Sequence, residues 1–207
     1  MAASRPPAIF IADAPALDFL NSIATPTDTQ IEWIGDGEGL LAWLVQAHLA
    51  PPEQIRRLQS QAMPGELDSV AAQARSLREW FRDFVCQRMG RPLVAEDLAA
   101  LAPLNRLLGR DDLFSQIVAH AHGNLAVELQ PVRRWRSPES LLLPIGEALG
   151  KFVCEGNFSN VKQCEGDPCT LLFADHTRAR ARRWCSMEVC GNRAKQAAHR
   201  LRQKTKP

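Results

Sequence analysis

Long apolar runs are missing from this 207-residue chain, and none reaches the roughly 18–20 residues that a membrane-spanning helix requires. No membrane partner is therefore expected. A glycine-rich phosphate loop and a nucleophile motif are absent too, and His48, His120 and His122 are scattered. With no such constellation to carry chemistry, an enzyme is not expected. Pro6, Pro7, Asp13 and Pro15 interrupt the amino terminus, and it lacks a lysine-rich start. That makes a poor secretory signal and sets a cytoplasmic location as the expectation. Internal repeats and low-complexity segments are also lacking. What is present is ordinary for a globular protein, with 45% hydrophobic and 23% charged residues. Wholesale disorder is thereby excluded, and a chain of this size can bury a core for one or two domains without disulfide staples.

The net charge of +2 conceals an asymmetry. Residues 1–149 hold 13 basic and 18 acidic residues, whereas residues 150–207 hold 12 basic and 5 acidic ones. Between His176 and Pro207 ten basic residues face a single acid, Glu188. An acidic body with a basic tail suits contact with nucleic acid, and it equally suits a solubilising tail.

Four of the six cysteines, Cys164, Cys169, Cys185 and Cys190, fall within 27 residues as two C-x-x-x-x-C pairs. Zinc takes four tetrahedral ligands, commonly as two short-range pairs on separate turns. Disulfides fit poorly in a reducing compartment. Neighbouring Arg182, Arg183 and Arg193 favour thiolate over thiol. One structural Zn2+ held by the four cysteines is therefore expected, closed to catalysis because no coordination position stays open. Cys86 and Cys154 sit singly in apolar helical patterns and read as small buried hydrophobes.

The fold expected is mainly α, with a small sheet. Pro15–Ser22 reads as a short helix or extended segment. Glu38–Leu49 is helical up to Pro51-Pro52, and Pro52 opens the next helix. The clearest helix is Glu66–Met89, with Val70, Leu77, Trp80, Phe81, Phe84 and Val85 in one stripe. Ala95–Leu108 reads as one further helix. Asn124–Gln130 is the best strand candidate. A helix starting at Ser137-Pro138 should kink or divide at Pro144. Gly156–Asn160 reads as the linker between a domain spanning 1–156 and a finger spanning 157–207. In the finger, a knuckle, a short strand and a helix start bearing ligands suggest a treble-clef or zinc-ribbon-like module. So small a module draws much of its folding free energy from the metal.

The segment Arg182–Lys195, RRWCSMEVCGNRAK, resembles the signature of the CGNR zinc-finger family, a bacterial group described as stress-induced transcription regulators. Phe173-Ala174-Asp175-His176-Thr177-Arg178 is similar to an upstream stretch of that family. Leu17-Asp18-Phe19-Leu20-Asn21-Ser22 is similar to the amino-terminal motif of its partner domain, called ABATE. The resemblance implies zinc on the same four cysteines, DNA binding and transcriptional control.

Candidate nucleic-acid contacts are Arg178, Arg180, Arg182, Arg183, Asn192, Arg193, Lys195, Arg200 and Arg202, mostly as phosphate ligands. Arg193 and Asn192 could instead satisfy groups beside the metal cage. Trp184 is expected in the finger's small core with Phe173 and Leu171, and His176 and His199 are not needed as ligands. Asp18 with Asn21 is either a small-molecule sensing cluster or a set of core hydrogen bonds. The partners expected are DNA, with homodimer formation and a small-molecule effector as roles open to the amino-terminal domain. The rival reading is a zinc-stabilised protein-interaction module without DNA binding.

Overall fold

The computed structural model describes residues 6–119 and 126–204. Helices dominate it, with three small antiparallel pairs of strands. Helix α1 (Pro15–Leu20) is short, and all of its residues from Ala16 to Leu20 are buried. Two-residue strands β1 (Ile23–Ala24) and β2 (Ile31–Glu32) follow. Asp36 caps α2 (Gly37–Gln46) by accepting from the Gly39 amide at 2.7 Å. Pro52 stands at the start of α3 (Pro52–Gln61), where its missing N–H costs nothing.

Helix α4 (Glu66–Cys86) is the spine. Its stripe buries Val70, Ala71, Ala74, Phe81, Phe84 and Val85, while Leu77 and Trp80 are half-buried. Arg78 is buried on the same helix. It donates to both carboxylate oxygens of Glu32, at 2.8 and 2.6 Å, and to Ser22 Oγ at 3.0 Å. This ion pair ties the β1–β2 turn to α4.

The stretch expected as one helix over Ala95–Leu108 divides into a 3-10 segment, Ala95–Leu101, and α5 (Ala102–Leu108). Pro103 explains the division, because it has no N–H to continue a helix but suits the first turn of a new one. The same physics divides the later stretch into a 3-10 segment, Pro138–Leu142, and α6 (Leu143–Glu155), with Pro144 in its first turn. Between these lies a ribbon of β3 (Leu113–Ala119) and β4 (Val127–Arg133), in register from Leu113↔Arg133 to Ala119↔Val127. Among the described residues, the expected strand is found from Val127 and runs on through Pro131 to Arg133. Residues 124 and 125 of that expectation lie outside the described residues.

Cys86 and Cys154 are exposed, contrary to expectation. Each falls outside its helix's buried stripe, which runs through Phe81, Phe84 and Val85 on α4 and through Ile145, Leu149 and Phe152 on α6.

Gly156–Asn160, expected as a linker, is a packed joint. Phe158 is 1% exposed, and its ring stands 5.1 Å from Phe152 and 5.9 Å from Phe84, centroid to centroid. Burying such a ring contributes about 2 kcal/mol. Beyond it, β5 (Val161–Gln163) pairs with β6 (Leu172–Ala174), and α7 (Asn192–Lys204) ends the described chain. Val161, Leu172, Phe173 and the four clustered cysteines belong to the same continuous core as α1, α4 and α6.

Candidate metal centre and basic surface

The metal site is built from two turns. Cys164 follows β5 and Cys169 precedes β6, so strand pairing brings both to one end of that hairpin. Cys185 closes the following loop, and Cys190 sits in a wide π-type turn, Met187–Gly191, that leads into α7. All four thiols are buried, and their sulfurs lie within 4.8 Å of one another. Cys169 and Cys185 sulfurs are 3.8 Å apart, and those of Cys185 and Cys190 are 3.5 Å apart. Four sulfurs about 2.3 Å from a central zinc stand about 3.8 Å from each other, so the cage fits that ion.

Hydrogen bonds to sulfur favour the charged form. Gly166 and Cys185 amides donate to Cys164 Sγ at 3.4 and 3.3 Å, and the Arg193 guanidinium donates to Cys190 Sγ at 3.3 Å. A hydrogen bond from Cys185 pulls the Cys169 thiol down to about 5. Burial pushes Cys190 up to about 11, and Cys185 is held above the ordinary thiol range by Cys169 and by burial. Crowded thiols cannot all ionise without a compensating cation, which a divalent metal supplies. Gly166 is fixed by sterics, since a Cβ there would meet Cys190 Cβ at 2.9 Å and its sulfur at 3.2 Å. Its place in the sequence suggests only a tight bend.

The comparisons agree with this geometry. The ABATE model, described as "Putative stress-induced transcription regulator", matches residues 13–156. The CGNR zinc finger matches residues 160–203. The chain belongs to the ABATE family, with a CGNR finger at its carboxyl end. No curated protein matches it. Cys164, Cys169, Cys185 and Cys190 hold one structural zinc ion.

The amino-terminal ABATE motif serves the CGNR finger. Asn21 donates to the Leu172 carbonyl at 2.8 Å and accepts from the Leu172 amide at 2.9 Å, standing in for a third strand beside β6. Asp18 accepts from the Ala12 amide at 3.0 Å, and burial raises its carboxyl to about 6. These two side chains are core hydrogen-bonding groups. Asp175, fully buried, receives Lys162 Nζ at 2.8 Å, the Thr177 amide at 3.0 Å and the Arg182 amide at 2.9 Å. Burial opposes its charge, but these donors hold the carboxyl well below the usual range.

The candidate nucleic-acid residues divide into two groups. Arg182 is spent inside the molecule. It meets Asp13 at 2.5 Å and donates to the carbonyls of Ile11 at 3.1 Å and Trp184 at 3.0 Å, and also to that of Cys185. Arg193 reaches the Pro26 carbonyl at 3.2 Å besides Cys190. Asn192 donates back to the Glu188 carbonyl at 3.1 Å, and Arg180 to that of Asp175. Arg178, Lys195, Arg200 and Arg202 are exposed.

Arg183 pairs with Glu165 at 2.6 Å and lies over the Trp184 ring, 5.0 Å from its centroid. A groove of about 650 Å³ brings Arg183 and Trp184 together with Lys195, His199 and Arg202 of α7. Trp184 is half-buried: it packs against the buried core, to which Leu171 and Phe173 belong, and lines this groove. His176 and His199 lie outside the sulfur cluster and are exposed. Sequence reasoning missed Asn21's attachment to β6 and Arg78's pairing with Glu32. Neither has a local signal, since the partners are far away in the chain.

Proposed function

We propose that this chain is a cytoplasmic, zinc-dependent transcription regulator whose finger binds DNA and whose amino-terminal domain receives a stress signal. The observation that carries the reading is the groove between Trp184 and α7. It gathers Arg183, Lys195 and Arg202 beside one aromatic ring and is held in shape by the zinc turn that starts the helix. Basic side chains on a rigid helix neutralise phosphates, and a ring beside them can stack on an unpaired base. Arg200 extends the basic strip along α7. Arg182 and Arg193 act indirectly in this reading, by fixing the cage to the body. The reading assigns the protein no catalysis.

For the signal, the supporting feature is a cleft of about 500 Å³ where the two matched regions meet, bordered by Asp13, His48, Glu147, Phe152, Glu155 and His176. Asp13 and His48 have positive φ angles of 59° and 53°, a conformation that non-glycine residues adopt at a cost. An effector seated there would touch both the helical body and the finger.

The test uses the full-length, zinc-loaded chain on mixed-sequence duplex DNA, followed by fluorescence anisotropy across a salt series. Lys195→Ala combined with Arg200→Ala should reduce the slope of log affinity against log salt by about 0.9 for each phosphate that is no longer neutralised. Arg182→Ala should leave the slope unchanged while weakening the fold. An unchanged slope in the α7 variant would refute the helix assignment. Absence of DNA binding alongside capture of an acidic protein partner would favour the interaction-module reading.

A further inference from the structure

We infer that the outer face of the β3–β4 ribbon is the surface through which two copies of this chain associate. The register sets Leu113, Ser115, Ile117 and Ala119 of β3 on one face with Val127, Leu129 and Pro131 of β4. Leu113 is 53% exposed, Ile117 69%, Val127 56% and Leu129 68%, and none packs on the core. On the opposite face Phe114, Val118 and Val132 are half-buried, with the Arg134 guanidinium 4.3 Å from the Phe114 ring. Beyond its base, where Arg133 reaches Glu147 of α6, the ribbon thus presents an uncovered apolar face, the reverse of what water favours. A lone two-stranded ribbon is marginal in water and needs a further layer.

Charge and area identify the occupant. Apart from Arg133, which stands opposite Leu113 at its base, the outward face carries no charge. At its base Arg133 is already held by Asp111 and Glu147, each at 2.7 Å. Such a face offers nothing to steer an acidic or basic partner, yet it meets its own copy without any like-charge repulsion. Four large side chains at these exposures present roughly 400–500 Å² per copy, so two copies bury at most about 800–1,000 Å² in total, the size of a weak, transient interface. Pro131 removes a donor from β4, which disfavours open-ended growth by strand addition at that edge, whereas face-to-face packing about a two-fold axis closes at two. This inference stands apart from the nucleic-acid reading and fails or survives independently of it.

Sedimentation velocity on the full-length, zinc-loaded protein from about 1 to about 200 µM tests it. A monomer–dimer equilibrium with a micromolar dissociation constant is expected, as suits so small an interface. Ile117→Lys with Leu129→Lys should leave only monomer, and Ile117→Thr, which keeps a good strand former, should weaken the dimer about tenfold. Gln116→Lys, on the other face, should leave the equilibrium unchanged. A protein that is monomeric throughout, or a dimer indifferent to Ile117 and Leu129, would overturn the proposal.

Discussion

Replacing Asn21 with alanine is the sharpest test of how the finger is held to the body. Asn21 is 1% exposed, and its amide satisfies both backbone groups of Leu172, itself 2% exposed. With alanine there, the Leu172 N–H and C=O remain buried and lose their partners. Each of the two orphaned groups costs about 1–3 kcal/mol, so the expected loss is about 2–6 kcal/mol. Because β6 lies between the body and the second cysteine pair, the loss should show as earlier unfolding and as faster zinc release. Urea unfolding of the full-length, zinc-loaded protein measures the first, and transfer of zinc to a coloured chelator measures the second. A loss below about 1 kcal/mol with unaltered zinc release would refute the reasoning, because it would mean that β6 docks without Asn21.

Further outcomes follow from other residues. Asp18→Asn keeps the acceptor for the Ala12 amide while removing a buried charge. Since Asp18 titrates near 6 in the folded protein against 3.8 ordinarily, its ionisation destabilises the fold increasingly as pH rises from about 4 to about 6. The variant should therefore be more stable than the parent by up to about 3 kcal/mol at pH 8, with the advantage vanishing below pH 4 in thermal melts; a constant difference at all pH values would contradict this. Gly166→Ala should weaken zinc binding at least about tenfold in a chelator competition, because the added methyl meets Cys190. Cys185→Ser should abolish stoichiometric zinc by metal analysis and lower the melting of the whole chain, since cage and body share one core; retention of one tightly held zinc would mean a different ligand set. Arg78→Met leaves Glu32 without its bidentate partner and should cost about 3 kcal/mol in urea unfolding.

What could be read from the sequence was whatever has a local signature. Two cysteine pairs at fixed spacing encode a cage, and the stripe through Phe81, Phe84 and Val85 encodes α4. Pro144 marks where a helix restarts, whereas the restart at Pro103 went unread within what looked like one helix. The strand β3 escaped notice because a ribbon with apolar residues on both faces shows no alternation of apolar with polar. Roles that depend on contacts across the chain were equally silent. Arg182 looks like any basic residue of a charged tail until it is seen reaching Asp13 and Ile11, some 170 positions earlier. The joint at Phe158 reads as a linker by its glycine and asparagines, yet a single buried ring makes it part of the core. That ring and Asn21 are why the finger should be studied within the whole chain.

The most direct test of the central claim is the affinity of the full-length protein for mixed-sequence duplex DNA, measured with one zinc per chain and again after chelation, over a range of salt concentrations. The account predicts binding that requires zinc and weakens steeply with salt, with a slope of several units set by the basic strip. Absence of binding at low salt with zinc in place, or equal binding after the metal is removed, would contradict it.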